Sequence, residues 1–158
     1  MKKIKGILAI CMLFILTTAT TCSNDDNSSL EDNSSDKNVS EIKNIISEGS
    51  WKINYYYDTD KDETNNFTGY NFTFNQNNVL TATNGTNTIT GTWSITGSSD
   101  DDNSSSNDVD FNIFFSAPEN FEDLSDDWDV IEKSSTVIKL IDVSGGNGGT
   151  DYLTFTKN

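Results

Sequence analysis

From Trp51 to the end of the chain, apolar residues recur at every second position in short runs separated by turn residues. Such alternation describes strands with one face in a core and the other in water. In the first run Trp51, Ile53, Tyr55 and Tyr57 are expected to face one way, and Lys52, Asn54, Tyr56 and Asp58 the other. A second run over 67–75 turns Tyr70, Phe72 and Phe74 inward, and a third spans Val79 to Thr83, before the hairpin signal Asn84-Gly85. A fourth, 87–96, points Ile89, Gly91, Trp93 and Ile95 inward, and a fifth, 108–115, does so with Val109, Phe111, Ile113 and Phe115. Pro118 interrupts the pattern, and 119–127 reads as a loop with one helical turn. Runs at 128–134, 136–143 and 150–157 complete eight strands. Eight short strands with one apolar face each suit an all-β, up-and-down meander closed into a barrel. Closure also removes the exposed strand edges that Thr- and aromatic-rich segments offer to one another. A two-sheet β-sandwich satisfies the same alternation, because periodicity sets the inward faces and not the closure.

Upstream of Gly49 the period is helical. Val39, Ile42, Ile45 and Ile46 fall on one face, Ser40 is placed to cap the helix and Gly49 to end it. The expectation is a helix of two to three turns over 39–48 that plugs or flanks one end of the domain. Residues 23–38 are Ser, Asn and Asp with an isolated Leu30, too little apolar surface to offset the entropy of ordering. This segment reads as a disordered tether with a random-coil span of roughly 20–25 Å. Before it, Lys2, Lys3 and Lys5 precede an uncharged apolar run from Gly6 to Leu16, too short to cross a bilayer as a stable helix.

The apolar run gives way at Cys22 to the polar sequence Ser23-Asn24-Asp25-Asp26-Asn27. That junction resembles a bacterial lipoprotein signal, in which the Cys receives lipid on its thiol and becomes the new N-terminus. Asp25-Asp26 is similar to the acidic export tag of Bacteroidota surface lipoproteins. The division is then a signal peptide over 1–21, a tether over 22–38 and a domain over 39–158. Cys11 lies in the discarded segment, so lipidation also accounts for an otherwise unpaired thiol in an exported chain. The short helix, Gly49-Ser50-Trp51 and the eight strands together resemble the lipocalin-like domains of Bacteroidota lipoproteins. Two departures stand out. Lipocalins proper lay an Arg from late in the barrel across the Trp of this motif, and this chain contains no Arg. Their Thr-Asp-Tyr motif is matched at Thr150-Asp151-Tyr152, which here lies in the last strand. The resemblance implies ligand or partner binding at the outer membrane, on the cell surface or, alternatively, facing the periplasm.

Composition narrows the chemistry. The formal charge is −15 and becomes more negative when the three leading lysines are removed, which disfavours nucleic acid as a partner. There is no His, so Ser-His and Cys-His nucleophiles and His-based zinc sites are excluded. The expectation is a non-enzymatic protein. Asp58, Asp60 and Asp62 alternate like the start of an EF-hand loop, but Gly69 stands where the bidentate Glu belongs. A calcium site of other geometry is the alternative to a charged hairpin loop. The glycine-rich turn at 145–149 reads as a connection between strands, and 99–108 as an acidic Ser/Asn loop.

Two functional readings follow. In one, a lipocalin-like barrel holds a small apolar ligand among Tyr55, Tyr57, Tyr70, Trp93 and Trp128. In the other, the barrel is filled and its outer face meets glycan or protein, with Tyr56 and Phe114 as outward aromatics able to stack on sugar rings. The crowd of large inward residues points to a packed barrel round Trp51 and Trp93. At the opposite end it leaves room for no more than a shallow aromatic mouth.

Overall fold

The chain enters the fold through helix α1 (Asn33–Ser47), in a computed structural model that describes residues 33–97, 109–144 and 148–158. The signal segment, Cys22, Asp25-Asp26, most of the tether and the two loop stretches at 98–108 and 145–147 lie outside the described residues. The helix begins six residues earlier than its apolar spacing indicates, so 33–38 belongs to it and not to the tether. Asp36 in the first turn favours the N-terminal end of the helix dipole, and Ser40 lies mid-helix on the exposed side, so it caps nothing. Ile42 and Ile46 are fully buried against the barrel, with Val39 and Ile45 beside them. Gly49 ends the helix with φ of +78°, a conformation that costs a residue with a Cβ but not glycine.

The strands are β1 (Trp51–Asp58), β2 (Lys61–Asp62), β3 (Asn71–Phe74), β4 (Val79–Thr83), β5 (Thr88–Gly97), β6 (Val109–Phe114), β7 (Asp126–Lys133), β8 (Val137–Val143) and β9 (Thr150–Lys157). All neighbours pair antiparallel, and β1 pairs with both β3 and β9. That second pairing closes β1 and β3 to β9 into an eight-stranded barrel, while the two-residue β2 only folds back on the far end of β1. The chain therefore forms the barrel and not the sandwich.

Two irregularities decide which side chains face inward. The β1–β9 register shifts between Ile53 and Tyr55, leaving Asn54 as an extra residue. A bulge of this kind inverts the alternation beyond it. Trp51 and Ile53 are inward as expected, but Tyr56 is the next buried residue, and Tyr55 and Tyr57 point outward. A second shift, between Val130 and Glu132 on β7, leaves Ile131 exposed.

Both ends of the barrel are covered. Helix α1 lies over the end where β1 starts, and the Trp51 indole N–H donates to the Ile46 carbonyl at 2.9 Å, one of the carbonyls a helix leaves without an internal partner. Lys133 on β7 reaches Asn38 and Glu41 of the helix at 3.1 and 2.7 Å. At the other end a 3-10 turn (Thr64–Phe67) and the one-turn helix α2 (Glu119–Glu122) each supply an aromatic plug. Phe67 and Phe121 meet edge to face with centroids 5.3 Å apart, and both are buried.

Candidate binding surfaces

The interior is filled by rings in mutual contact. Phe74 meets Trp93, Phe111 and Phe155 with centroids 5.5, 5.6 and 5.3 Å apart, all close to perpendicular, the favoured edge-to-face arrangement. Phe121 continues the array to Phe72, Phe115 and Tyr70. Gly91, an inward position of β5, already faces Phe115: a Cβ there would stand 2.6 Å from its ring and 2.3 Å from the Phe114 carbonyl oxygen.

The five aromatic residues proposed as a pocket are not gathered into one. Trp93 and Trp128 are core residues whose indole N–H groups donate to the carbonyls of Asn75 and Leu124 at 3.0 and 3.1 Å. Tyr70 is half-buried against Phe121, so the mouth expected opposite Trp51 is stoppered by Phe67 and Phe121. Tyr55 and Tyr57 stand on the outer surface with near-parallel rings 6.3 Å apart, and Tyr152 on β9 lies directly across from Tyr57. Tyr56, expected outside, is buried and donates its hydroxyl to the Asp123 carbonyl at 2.6 Å. Burial, with Asp58 and Asp123 nearby, pushes its pKa well above the usual tyrosine value, so it stays a neutral donor.

Asp58, Asp60 and Asp62 do not converge either. Asp62 accepts the Thr64 N–H at 3.0 Å and so starts the 3-10 turn. That hydrogen-bonding to Thr64 holds its carboxyl below the ordinary aspartate range. Asp151, across the loop, accepts the Thr59 N–H at 2.6 Å. Among the described residues no set of three Asp, Glu, His or Cys side chains is placed to hold a metal ion.

Several clefts open on the outer surface of the described residues, and one of them is walled by a large exposed aromatic ring. A cleft of about 440 Å³ lies along β5 and β6, bounded by the Asn78 turn and by Ser125 and Asp126 at the start of β7. Register builds its wall: Thr92 stands opposite Phe114, and Ser94 stands opposite Asn112, which in turn faces Asp127. Phe114 is 57% exposed, a large ring presented to water on a rigid strand. Ser125 is already committed, accepting the Phe115 N–H at 2.8 Å and donating to the Phe115 carbonyl at 3.1 Å. Burial pushes the Asp126 carboxyl up to about 6, Asp142 and Asp127 adding to the rise and the Asp127 N–H bonded to it at 2.9 Å opposing it. Sequence reasoning had singled out Phe114 but not its companions. They come from separate segments and are polar residues at outward positions, which carry no signal of their own until strand register is known.

No protein-family model matches the chain, and no curated protein matches it. Among solved structures, a DUF4847-family protein from Bacteroides vulgatus is similar to it at 18% identity, with a TM-score of 0.46, over 74% of this chain and 97% of that one.

Proposed function

We propose that the chain is a non-enzymatic, membrane-anchored lipoprotein whose lipocalin-like barrel is a filled scaffold that binds through its outer surface. The observation carrying this reading is the interior itself, where Phe72, Phe74, Phe111, Phe121 and Phe155 occupy the space a lipocalin ligand would need. An eight-stranded barrel is just wide enough either to be filled by side chains or to hold one small ligand, and the two states exclude each other. The lipocalin-like assignment draws support from Trp51. Its ring has the Lys157 ammonium 5.7 Å from its centroid, a cation from the last strand in the role that lipocalins proper give to Arg. Gly49 supports it too, since a Cβ there would stand 3.1 Å from the Lys157 side chain.

Anchoring rests on Cys22 and the sequence around it, and cell-surface exposure on Asp25 and Asp26. The expected result of Cys22→Ala is transfer of the protein from the membrane fraction to the soluble fraction, or its retention as the uncleaved precursor, scored by fractionation and immunoblot. Unchanged processing together with full membrane retention contradicts anchoring. Protease added to intact cells separates the two sides of the outer membrane, because it degrades the barrel only if the barrel faces outward.

A further inference from the structure

We propose that the cleft beside Phe114 binds a neutral oligosaccharide, one sugar ring lying on the Phe114 ring and its hydroxyls meeting Thr92, Ser94, Asn112 and Asp126. This rests on the outer-surface reading above and names the ligand class for it. A single exposed Phe is ordinary on a protein surface. What distinguishes Phe114 is its position at the wall of a cleft within the size range of small-ligand sites, where an apolar surface is bordered by polar side chains.

The chemistry of the lining matches sugar. A pyranose has an apolar face of C–H groups and an edge of hydroxyls that both donate and accept. Phe114 offers its π face to the first, and the negative quadrupole of that face favours the weakly positive C–H groups. Thr92 and Ser94 hydroxyls both donate and accept, and the Asn112 amide, one of whose N–H groups donates to the Thr96 hydroxyl at 3.2 Å, has a second N–H and an oxygen, which suits the second. Ser94 and Asn112 stand two residues along the strands from the Thr92–Phe114 pair, about 7 Å, roughly one sugar residue away. These groups sit on strands locked by continuous ladders, so little ordering is required on binding.

Charge selects among carbohydrates. No Lys lines the cleft, and Asp126 presents a carboxylate there. A neutral sugar hydroxyl can donate to that carboxylate in a charge-assisted hydrogen bond, whereas a uronate or sulfate is repelled by it and by the net charge of −15. A divalent cation would find a single carboxylate.

The test uses the full chain, purified in a non-glycosidic detergent and titrated calorimetrically with maltohexaose, cellohexaose, xylohexaose and mannohexaose, with an oligogalacturonate as the anionic probe. At least one neutral probe is expected to bind saturably, and Phe114→Ala to weaken that binding tenfold or more without lowering the melting temperature. Phe114→Tyr should retain it, Asn112→Ala should weaken it severalfold, and Tyr55→Ala should leave it unchanged. Absence of binding by every neutral probe overturns the proposal, as does tighter binding of oligogalacturonate. Loss of binding in Tyr55→Ala but not in Phe114→Ala also overturns it, moving the site to the Tyr55–Tyr57 face while leaving the outer-surface reading intact. Uptake of an apolar ligand into the barrel would instead remove that underlying reading.

Discussion

Gly91→Ala is expected to destabilise the barrel by about 3 kcal/mol, the upper part of the range for overpacked cores. The added Cβ would lie 2.3 Å from the Phe114 carbonyl oxygen, and a backbone atom of a paired strand cannot rotate away. The Phe115 ring, 2.6 Å away, is fully buried and has no free space to enter. Against a total stability of roughly 5–15 kcal/mol, such a loss should lower the midpoint of thermal unfolding by roughly 10 °C. Far-UV circular dichroism on heating checks this, with Thr90→Ala on the exposed face of the same strand as the control, expected within about 0.5 kcal/mol of the parent. Equal stability of Gly91→Ala and the parent would mean that open space exists at this level of the barrel, and the packing described above would be wrong.

The second large effect belongs to Trp51. It is fully buried, pairs with Phe72 on one side and Lys157 on the other, and bonds to the last turn of α1. It therefore joins helix, closure strand and barrel wall at a single point. Trp51→Ala removes a whole buried indole and is expected to cost about 4 kcal/mol. Trp51→Phe keeps most of the packing but leaves the Ile46 carbonyl without its donor, at about 1–2 kcal/mol. Lys157→Gln loses the cation–π contact, worth about 0.5–1 kcal/mol at a partly exposed position, together with the weak surface ion pair to Glu48 at 3.5 Å. Urea denaturation of the three variants should reproduce that order. A Trp51→Phe variant as unstable as Trp51→Ala would show that the hydrogen bond to the helix, not the packing, dominates.

The parts of the fold readable in the sequence were those where alternation runs unbroken. The spans 79–83 and 150–157 coincide with β4 and β9, and Phe72, Phe74, Trp93, Ile95, Phe111 and Ile113 all face inward as their spacing indicates. Alternation fails at Asn54. Three consecutive tyrosines follow it, so sliding the register by one residue still places a tyrosine inside, and the pattern cannot reveal the bulge. That one extra residue moved Tyr55 and Tyr57 to the surface and Tyr56 to the core. The start of α1 was hidden for another reason, since its first turns pack little apolar surface and leave Asp36 and Lys37 exposed.

The plugs were illegible because each sits in a segment with no period. By spacing Phe67 falls at the first position of a strand and Phe121 in a loop, yet together they close the end opposite Trp51. Trp93 and Trp128 have the composition of a ligand pocket, but their N–H groups are satisfied by backbone carbonyls and their rings by other rings. The candidate cleft shows the converse. Phe114 stands out in a sequence as an aromatic among polar neighbours, while the value of Thr92, Ser94 and Asn112 depends wholly on cross-strand register.

Trp51, Trp93 and Trp128 all face the barrel interior, so intrinsic fluorescence reports directly on anything that enters it. Titration of the full chain with oleic acid and with a planar porphyrin, followed by thermal unfolding of each mixture, should give no saturable change in emission and no rise in melting temperature. A saturable micromolar response accompanied by stabilisation of the native state would show a ligand inside the barrel and contradict a filled scaffold that works from its outer surface.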